Sequence, residues 1–277
     1  MERNIKLVIA YDGTDFRGWQ RQVDARTVQN TIEQAIRRVV RHQVELIGSG
    51  RTDAGVHAAG QVANFLTTVE IPAEKLRRAI GGHLPKDVTL IHAAEVPLDF
   101  HANRSSRGKL YRYRVYNAPG RPVEYHLQRY TYHFWQPLEI EPMRQAAKYM
   151  TGRLDFEAMA TKGSPREHSI RTVEHIRIDR RYQEIRFDVY GRGFLYNQVR
   201  NMVGTLLEVG RGHWPPERVG EIMASRDRSQ AGPTAPGRGL CLQWVRYHPV
   251  GRTDEEHTEL DEAPPGTPCE PSDEEPR

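Results

Sequence analysis

The order of strand-like and helix-like segments constrains the fold more than any other feature of this sequence. Residues 109–116 (KLYRYRVY) alternate apolar and polar side chains with a period of two, as a half-buried strand does. Residues 28–41 repeat apolar side chains every three or four positions, which predicts an amphipathic helix with Thr27 as its N-cap. The chain therefore contains both strand-like and helix-like segments.

The other segments continue this mixture. Strands are predicted at residues 4–10, 44–47, 60–67, 88–96, 130–135, 169–180, 183–190 and 240–248. Helices are predicted from Pro72 onwards and at residues 140–151, 194–209 and 216–225. Because the two kinds of segment follow no regular βαβ order, the pattern favours an α+β fold with antiparallel sheets over a doubly wound parallel sheet.

Charge divides the chain into a basic body and an acidic tail. Residues 251–277 contain ten Asp or Glu and two Arg, a net charge of −8, whereas the first 250 residues carry +12. The tail also holds five of the 18 prolines, so we expect it to be disordered. We predict an N-terminal lobe at 1–105 and a C-terminal lobe at 106–250. A basic body favours a polyanionic partner such as nucleic acid.

The sequence also sets expectations for compartment and metal content. The longest apolar stretches, such as residues 5–10, are too short to cross a bilayer, and the N-terminus lacks the features of a secretory signal. We therefore expect a soluble, cytoplasmic protein without a membrane partner. Cys241 and Cys269 show no metal-ligand spacing, and the histidines form no motif, so we expect no structural metal.

Residues 48–58 (GSGRTDAGVHA), here called the glycine-rich loop, hold the densest set of chemical groups. Three glycines permit unusual backbone angles and the close approach of another molecule. Between them lie a cation, a carboxylate and an imidazole: Arg51, Asp53 and His57. The spacing fits neither a Walker A loop nor a dinucleotide-binding fingerprint. On this pattern alone, a tight turn with Arg51 and Asp53 paired locally is an alternative.

Residues 50–58 resemble the signature of the tRNA pseudouridine synthase A family. Further matches follow in the family's order between residues 4 and 248. They are Tyr11-Asp12-Gly13, Gly18-Trp19-Gln20, Tyr111-Arg112-Tyr113, Gly152, Asp155-Phe156, Arg171-Thr172, Gly193-Phe194-Leu195-Tyr196, Val199-Arg200-Asn201, Val203-Gly204, Val209-Gly210-Arg211-Gly212, Thr234-Ala235-Pro236 and Gly239-Leu240.

The resemblance implies an enzyme that isomerises uridine to pseudouridine in tRNA, at positions 38, 39 and 40 of the anticodon stem-loop. It implies two similar lobes whose mostly antiparallel sheets meet in the middle, with helices outside and the active cleft between the lobes. It also implies a homodimer that binds one tRNA. The reaction moves the uracil from an N1 to a C5 linkage on ribose C1′ without gaining an atom, so we expect no cofactor and no metal.

The resemblance assigns a role to four residues. Asp53 is the essential carboxylate, and carboxylates can attack or stabilise an electron-poor sugar carbon. Attack on C1′, addition to the uracil ring and action as a base that gives a glycal all stay open. A nearby guanidinium stabilises its ionised form; Arg171 matches the family's partner, with Arg200 as the rival. Tyr111 matches the tyrosine that stacks on the uracil and is suspected of handling the C5 proton. Leu240 matches an apolar residue beside the base. Without the resemblance, Tyr111 and Leu240 would be interpreted as ordinary side chains packed in strands.

Two residues of the glycine-rich loop have alternative interpretations. A uridine in a stem must be flipped out of the helix, and Arg51 is placed to fill the gap it leaves. Arg51 could instead pair with Asp53. His57 could be a general base, but we favour a histidine held by hydrogen bonds within the loop.

The chain departs from the family pattern at two places. Asn103-Arg104 stands where an arginine followed by an aromatic residue is common, and Leu154 stands where histidine is common. The first departure puts one RNA contact in doubt. Other arginines, including Arg77 and Arg112, could contact phosphates or face water.

Two other functions remain open from the residues. The first is a basic tRNA-binding protein without catalysis, in which the glycine-rich loop clamps the RNA backbone. Asp53 and Tyr111 together speak against it, because a phosphate clamp has no use for a carboxylate. The second is a nucleoside hydrolase, which is weakened by the basic surface and by the lack of a second carboxylate near Asp53.

Overall fold

The strands of this protein form one ten-stranded sheet in a computed structural model, which describes residues 1–161 and 168–247. The strands are β1 (Arg3–Tyr11), β2 (Ile47–Gly48), β3 (His57–Thr67), β4 (Val88–Val96), β5 (Ser106–Asn117), β6 (Tyr132–Phe134), β7 (Gly152–Asp155), β8 (Ile170–Arg181), β9 (Glu184–Gly191) and β10 (Leu240–Tyr247). The helices are α1 (Val28–Val40), α2 (Ala73–Gly81), α3 (Tyr125–Tyr130), α4 (Ile140–Ala147), α5 (Gln198–Gly210) and α6 (Arg218–Ser225). No helix in these residues is long and apolar enough to cross a membrane. The predicted acidic tail lies outside the described residues.

The strand order is β4-β1-β3-β10-β5-β9-β8-β7, with β2 paired to β3 and β6 paired to β5. Two pairs, β3 with β10 and β5 with β6, are parallel, and the other described pairs are antiparallel. The prediction of an α+β fold with mostly antiparallel sheets is therefore confirmed.

The two halves of the chain meet in the middle of this sheet. The first four strands come from residues 3–96, and the remaining six begin at Ser106. Their junction is the parallel pair of β3 and β10, where His57 lies opposite Cys241 and Ala58 opposite Leu242. The lobe boundary predicted at 105/106 falls between β4 and β5 and stays a prediction. The sheet itself continues from one half of the chain to the other.

Alternation along the strands builds the core. Successive side chains of a strand point to opposite faces, and on β5 the buried Tyr111, Tyr113 and Val115 alternate with the half-buried Arg112 and Arg114. The buried side chains of β1 and β5 belong to one apolar cluster with those of α1, α4, α5 and α6. The apolar face of the sheet is thus covered by helices.

The start of α1 differs from the prediction in a way that bears on the glycine-rich loop. Thr27 is the N-cap residue, but its side chain makes no capping bond, and its buried hydroxyl has no partner among the described residues. The first N–H groups of the helix instead donate to backbone: Val28 to the Gly18 carbonyl at 3.2 Å and Gln29 to the Trp19 carbonyl at 3.0 Å. The start of the helix is therefore tied to the turn at residues 18–19.

Two other elements begin or end at residues different from those predicted, each for a physical reason. The helix predicted from residue 194 begins at Gln198, because Asn197 adopts the left-handed conformation (φ 60°) and ends the preceding turn. The strand predicted at 44–47 is confined to Ile47–Gly48, because side chains of α1 take up the backbone groups of Leu46. Two elements were missed, α3 and β7, both of which are short.

Candidate active site

The glycine-rich loop leads from β2 to β3 and is fixed to its surroundings through Thr52. The Thr52 carbonyl accepts the N–H of Trp19 at 2.9 Å, and the Thr52 hydroxyl lies 2.7 Å from the Tyr11 hydroxyl. Gly18, beside Trp19, has a φ of +96°, and a Cβ there would lie 2.8 Å from the Thr52 carbonyl oxygen. Only glycine allows this approach without strain. The loop is thereby fastened to the turn that also starts α1.

Asp53 follows Thr52 at the tip of a tight turn. Its carbonyl accepts the N–H of Val56 at 3.2 Å, and Gly55 takes a φ of +74° to close the turn. The Asp53 side chain is 20% exposed, so a ligand can reach it. The turn therefore presents one carboxylate in a fixed place.

Arg200, in the first turn of α5, forms an ion pair with Asp53. Its Nη1 donates to Asp53 Oδ2 at 2.9 Å and to Asn197 Oδ1 at 2.6 Å, and its Nε donates to the Ala235 carbonyl at 2.7 Å. The Arg200 side chain is 17% exposed. A half-buried guanidinium held by three acceptors is a cation of fixed position, and it makes a charge-assisted hydrogen bond to the carboxylate it faces.

The prediction of an ion pair between Asp53 and Arg171 is wrong. Arg171 lies on β8, and three strands separate β8 from β3, where the glycine-rich loop ends. At about 4.8 Å per strand this separation is roughly 19 Å, beyond the reach of an arginine side chain. The Arg171 guanidinium donates instead to the carbonyls of His168 and Ile170 at 3.2 and 2.6 Å. A part in catalysis for Arg171 stays a prediction; the cation at Asp53 is the rival, Arg200.

Tyr111 lies on β5, on the helix-covered face of the sheet, and is 7% exposed. The ring of Phe194 meets it edge to face, with 5.3 Å between centroids and 88° between planes. Burial raises the pKa of Tyr111 above its ordinary value, and the nearby Tyr11 and Asp53 charges raise it further. Its hydroxyl has no hydrogen-bond partner among the described residues. Tyr111 is thus a buried, neutral phenol.

Leu240, the first residue of β10, is buried on the same face. It lies opposite Tyr113 on β5, and Leu242 lies opposite Tyr111 in the next same-face pair. Diagonal neighbours of this kind lie within reach of a large side chain. The structure therefore brings the predicted Leu240 and Tyr111 together on adjacent strands.

Arg51 is exposed, and the local pair with Asp53 is absent from the part of the chain that the structure describes. The carboxylate turns toward Arg200 instead, which leaves the Arg51 side chain directed at solvent beside the site. The alternative of a turn closed by an Arg51–Asp53 pair is therefore wrong for this structure.

His57 is held by hydrogen bonds, as the favoured interpretation had it, but its partners Gly13 and Arg238 lie outside the glycine-rich loop. Its Nδ1 accepts the N–H of Gly13 at 3.0 Å, and its Nε2 lies 3.2 Å from the Arg238 carbonyl. Together these contacts assign the neutral tautomer with the proton on Nε2. Burial lowers the pKa of His57 below its ordinary value, although the Asp12 carboxylate acts in the opposite sense. A buried, neutral, doubly bonded imidazole serves to hold the loop.

Helix α3, which the sequence pattern did not reveal, lies beside this loop. Tyr130 packs its ring edge to face on His57 at 4.8 Å and donates to Asp12 Oδ2 at 2.7 Å. Arg129 donates to the same carboxylate oxygen. Asp12 thus joins α3 to the turn after β1. The periodicity of the sequence cannot predict such a contact between distant segments.

We expect the stability of the protein to depend on pH through His57. Because folding lowers the pKa of His57 from its ordinary 6.5, the unfolded chain binds this proton more readily. The stabilisation is complete above about pH 6.5 and is lost as the pH falls below it, by at most about 1.4 kcal/mol per pH unit. His57→Asn keeps an acceptor for the Gly13 N–H but cannot titrate. Urea unfolding between pH 7.5 and 5 should give a shallower slope for the variant, and parallel curves would contradict the assignment.

Comparisons with known proteins show the family to which the chain belongs. A family model described as tRNA pseudouridine synthase matches residues 7–103 and 146–248. A protein of Acetivibrio thermocellus named tRNA pseudouridine synthase A is 45% identical over 88% of this chain and 100% of its own length. The protein of Clostridium perfringens named tRNA pseudouridine synthase A 2 is 45% identical over the same shares. The Moorella thermoacetica protein named tRNA pseudouridine synthase A is 43% identical over 88% and 99%.

A solved structure, the crystal structure of a Cbf5-Nop10-Gar1 complex, aligns at 12% identity with a TM-score of 0.33, over 86% of this chain and 57% of that one. The family match covers more than half of the sequence and includes the glycine-rich loop, Arg200 and Leu240, whereas residues 104–145, which contain Tyr111, lie outside it. On this evidence the chain belongs to the tRNA pseudouridine synthase family and is an isomerase.

Proposed function

We propose that this enzyme isomerises uridines 38, 39 and 40 in the anticodon stem-loop of tRNA to pseudouridine. The observation that carries the proposal is the ion pair of 2.9 Å between Arg200 and Asp53, the carboxylate of the glycine-rich loop. Pseudouridine synthesis needs an ionised carboxylate at the sugar and an aromatic surface for the base. The relatives are named tRNA pseudouridine synthases, and these names support tRNA as the substrate.

Asp53 acts as the nucleophile in this proposal. One carboxylate oxygen attacks ribose C1′, the bond from C1′ to uracil N1 breaks, and the uracil leaves with the electron pair. After the base has turned, C5 attacks C1′ and the carboxylate is released. C5 then loses its proton, and N1, which left with the electron pair, gains one. Arg200 holds the carboxylate in place before attack and after release, through the charge-assisted hydrogen bond of 2.9 Å.

Tyr111 and Leu240 hold the base while it turns. The Tyr111 ring offers an aromatic surface for stacking, and Phe194 supports that ring from its edge at 5.3 Å. The Tyr111 hydroxyl, which bonds to no described residue, is available to relay the C5 proton. Leu240 closes the other side with an apolar surface that leaves the uracil free to rotate.

Arg51 enters the helix as the target base leaves. It is exposed and lies two residues before Asp53, so it can fill the gap in the stack and hold the displaced strand. An Arg51→Ala protein that modifies a base-paired uridine at the wild-type rate would remove this part of the proposal.

The wider proposal concerns partners and compartment. The +12 charge of the first 250 residues suits a folded tRNA, read mainly by shape and phosphate contacts. We also propose that two chains form a homodimer that binds one tRNA, in the cytoplasm. Sedimentation equilibrium showing a single-chain mass at micromolar concentration would contradict the dimer.

A basic tRNA-binding protein without catalysis explains the site less well. A clamp for phosphate needs cations and N–H groups, whereas here the loop presents a carboxylate already paired to a held guanidinium. A carboxylate beside a phosphate would be repelled. The Asp53–Arg200 pair therefore favours a reaction at the sugar over non-catalytic binding of the RNA backbone.

We expect Asp53→Asn to abolish isomerisation, because an amide cannot act as the nucleophile. Loss of an essential nucleophile costs about 10⁴-fold or more in rate. The measurement is tritium release from tRNA transcripts containing C5-tritiated uridine, since forming the C5 bond expels that hydrogen. Asp24→Asn removes an exposed carboxylate and serves as the matched control, with unchanged release. An Asp53→Asn enzyme of normal rate would refute the proposal, and tritium appearing in free uracil would indicate hydrolysis.

We expect Arg200→Lys to slow tritium release more than Arg171→Lys does. Lysine keeps the charge but cannot bond Asp53, Asn197 and the Ala235 carbonyl from one planar group. A lost charge-assisted hydrogen bond corresponds to a rate lower by about 10- to 100-fold. The Arg171→Lys enzyme should stay within about threefold of wild type. The reverse order of rates would restore Arg171 as the functional partner of Asp53.

A further inference from the structure

Lys109 places a buried cation beneath the glycine-rich loop. It lies on β5, two residues before Tyr111 and therefore on the same face of the sheet. The residue is 7% exposed, and its Nζ donates to the Ser49 carbonyl at 2.6 Å. A side chain of the Tyr111 strand thus bonds directly to the loop that carries Asp53.

The charge of Lys109 has no counter-ion among the described residues. Burial lowers the pKa of its ammonium to about 8, which reflects the free energy of taking an unpaired cation out of water. An apolar side chain of similar length would avoid that cost and often packs equally well. Packing alone therefore does not account for a lysine at this position.

Two consecutive carbonyls of the loop are fixed by side-chain donors. Lys109 holds the carbonyl of Ser49, and Gln61 Nε2 holds the carbonyl of Gly50 at 3.0 Å. The Ser49 hydroxyl in turn donates to Gln61 Oε1 at 2.6 Å. These bonds set the direction in which the chain leaves β2, three residues before Asp53.

Gly50 shows how closely the ammonium fits. A Cβ on this residue would lie 3.1 Å from Lys109 Nζ, tighter than ordinary contact. The ammonium occupies the space that a side chain would need. A small change at either residue therefore shifts the other.

We propose that Lys109 is a positioning residue for the reaction, which sets Asp53 in register with Tyr111 by holding the Ser49 carbonyl. This rests on the proposed function for Asp53 and Tyr111. The physical reason is that nucleophile and stacking ring come from different halves of the chain. The bond from β5 to the loop makes them one rigid frame, and a misplacement of about 1 Å in such a frame can cost about 100-fold in rate.

The test compares Lys109→Met, Lys109→Arg and wild type. We expect the Met variant to lose about 10- to 100-fold in single-turnover tritium release at saturating tRNA. Its Kd for tRNA, from filter binding, should stay within twofold of wild type. The Arg variant, which can still donate to Ser49, should recover most of the rate. Lys6→Met removes a half-buried lysine of β1 that is distant in sequence from the loop and should leave both quantities unchanged.

A merely structural role would lower the urea midpoint of Lys109→Met and leave the saturating rate of the folded enzyme intact, which would overturn the proposal. A loss confined to tRNA affinity would also overturn it, since it would make Lys109 an RNA contact. If Lys109→Met fails to fold, Gly50→Ala displaces the ammonium by a few tenths of an ångström. It should lower the saturating rate at unchanged Kd, and an unchanged rate would count against the proposal.

Failure of the proposed function is separately visible, because wild-type enzyme would then release no tritium. The effect of the hydrogen bond from Lys109 to Ser49 on the stiffness of the glycine-rich loop can still be measured in that case. Amide hydrogen exchange of residues 50–56 should be faster in Lys109→Met than in wild type, and equal exchange would refute it.

Discussion

The ion pair between Asp53 and Arg200 is the interaction on which the site depends. Asp53 belongs to a loop of the first half of the chain, and Arg200 opens a helix of the second half. Their 2.9 Å contact is possible only because β3 and β10 pair in the middle of the sheet and bring the halves together. The sheet thus determines the chemistry by fixing the distance between two charges that are 147 residues apart.

Backbone hydrogen bonds supply the stiffness that this distance needs. The carbonyl of Thr52 bonds to Trp19, and the carbonyl of Trp19 bonds to the first turn of α1. On the other side of the loop, His57 accepts from Gly13 and reaches the Arg238 carbonyl. A loop usually is the more mobile part of a domain. Here the groups that anchor the loop bond to β1, to the turn after it, to the turn at residues 18–19 and to the Arg238 carbonyl, which limits how far the carboxylate can move.

The sequence predicted the elements with long periodic patterns and the residues within the strongest motif. β1, β5 and α1 follow from their periods of 2 and 3.6, because burial of one face decides them. Asp53, Tyr111 and Leu240 were assigned through a family resemblance, and the structure places Tyr111 and Leu240 on adjacent strands. The start of α5 was misplaced, because the apolar pattern continues through residues 194–197 while Asn197 bends the backbone.

The partner of Asp53 could not be read from the sequence for a geometric reason. Both Arg171 and Arg200 lie in motifs that match the family, and one sequence gives no distance from either to the loop. The choice depends on the strand order, which puts three strands between β8 and β3. Lys109 was missed for a similar reason. In an alternating strand it reads as one more polar residue, although it shares the buried face with Tyr111.

Affinity for RNA and rate of reaction depend on different charges. Arg112 and Arg77, both phosphate candidates from the sequence, donate to Asp188 at 2.7 Å and to Glu74 at 2.6 Å. Such pairs add nothing to the net charge, so the surplus of +12 in the first 250 residues must come from other cations. That surplus acts over the range of the screened field and weakens with salt. The half-buried pair at Asp53 is screened much less, because protein atoms replace most of the surrounding water. Salt should therefore change how tightly a polyanionic partner is held more than it changes the contact between Asp53 and Arg200.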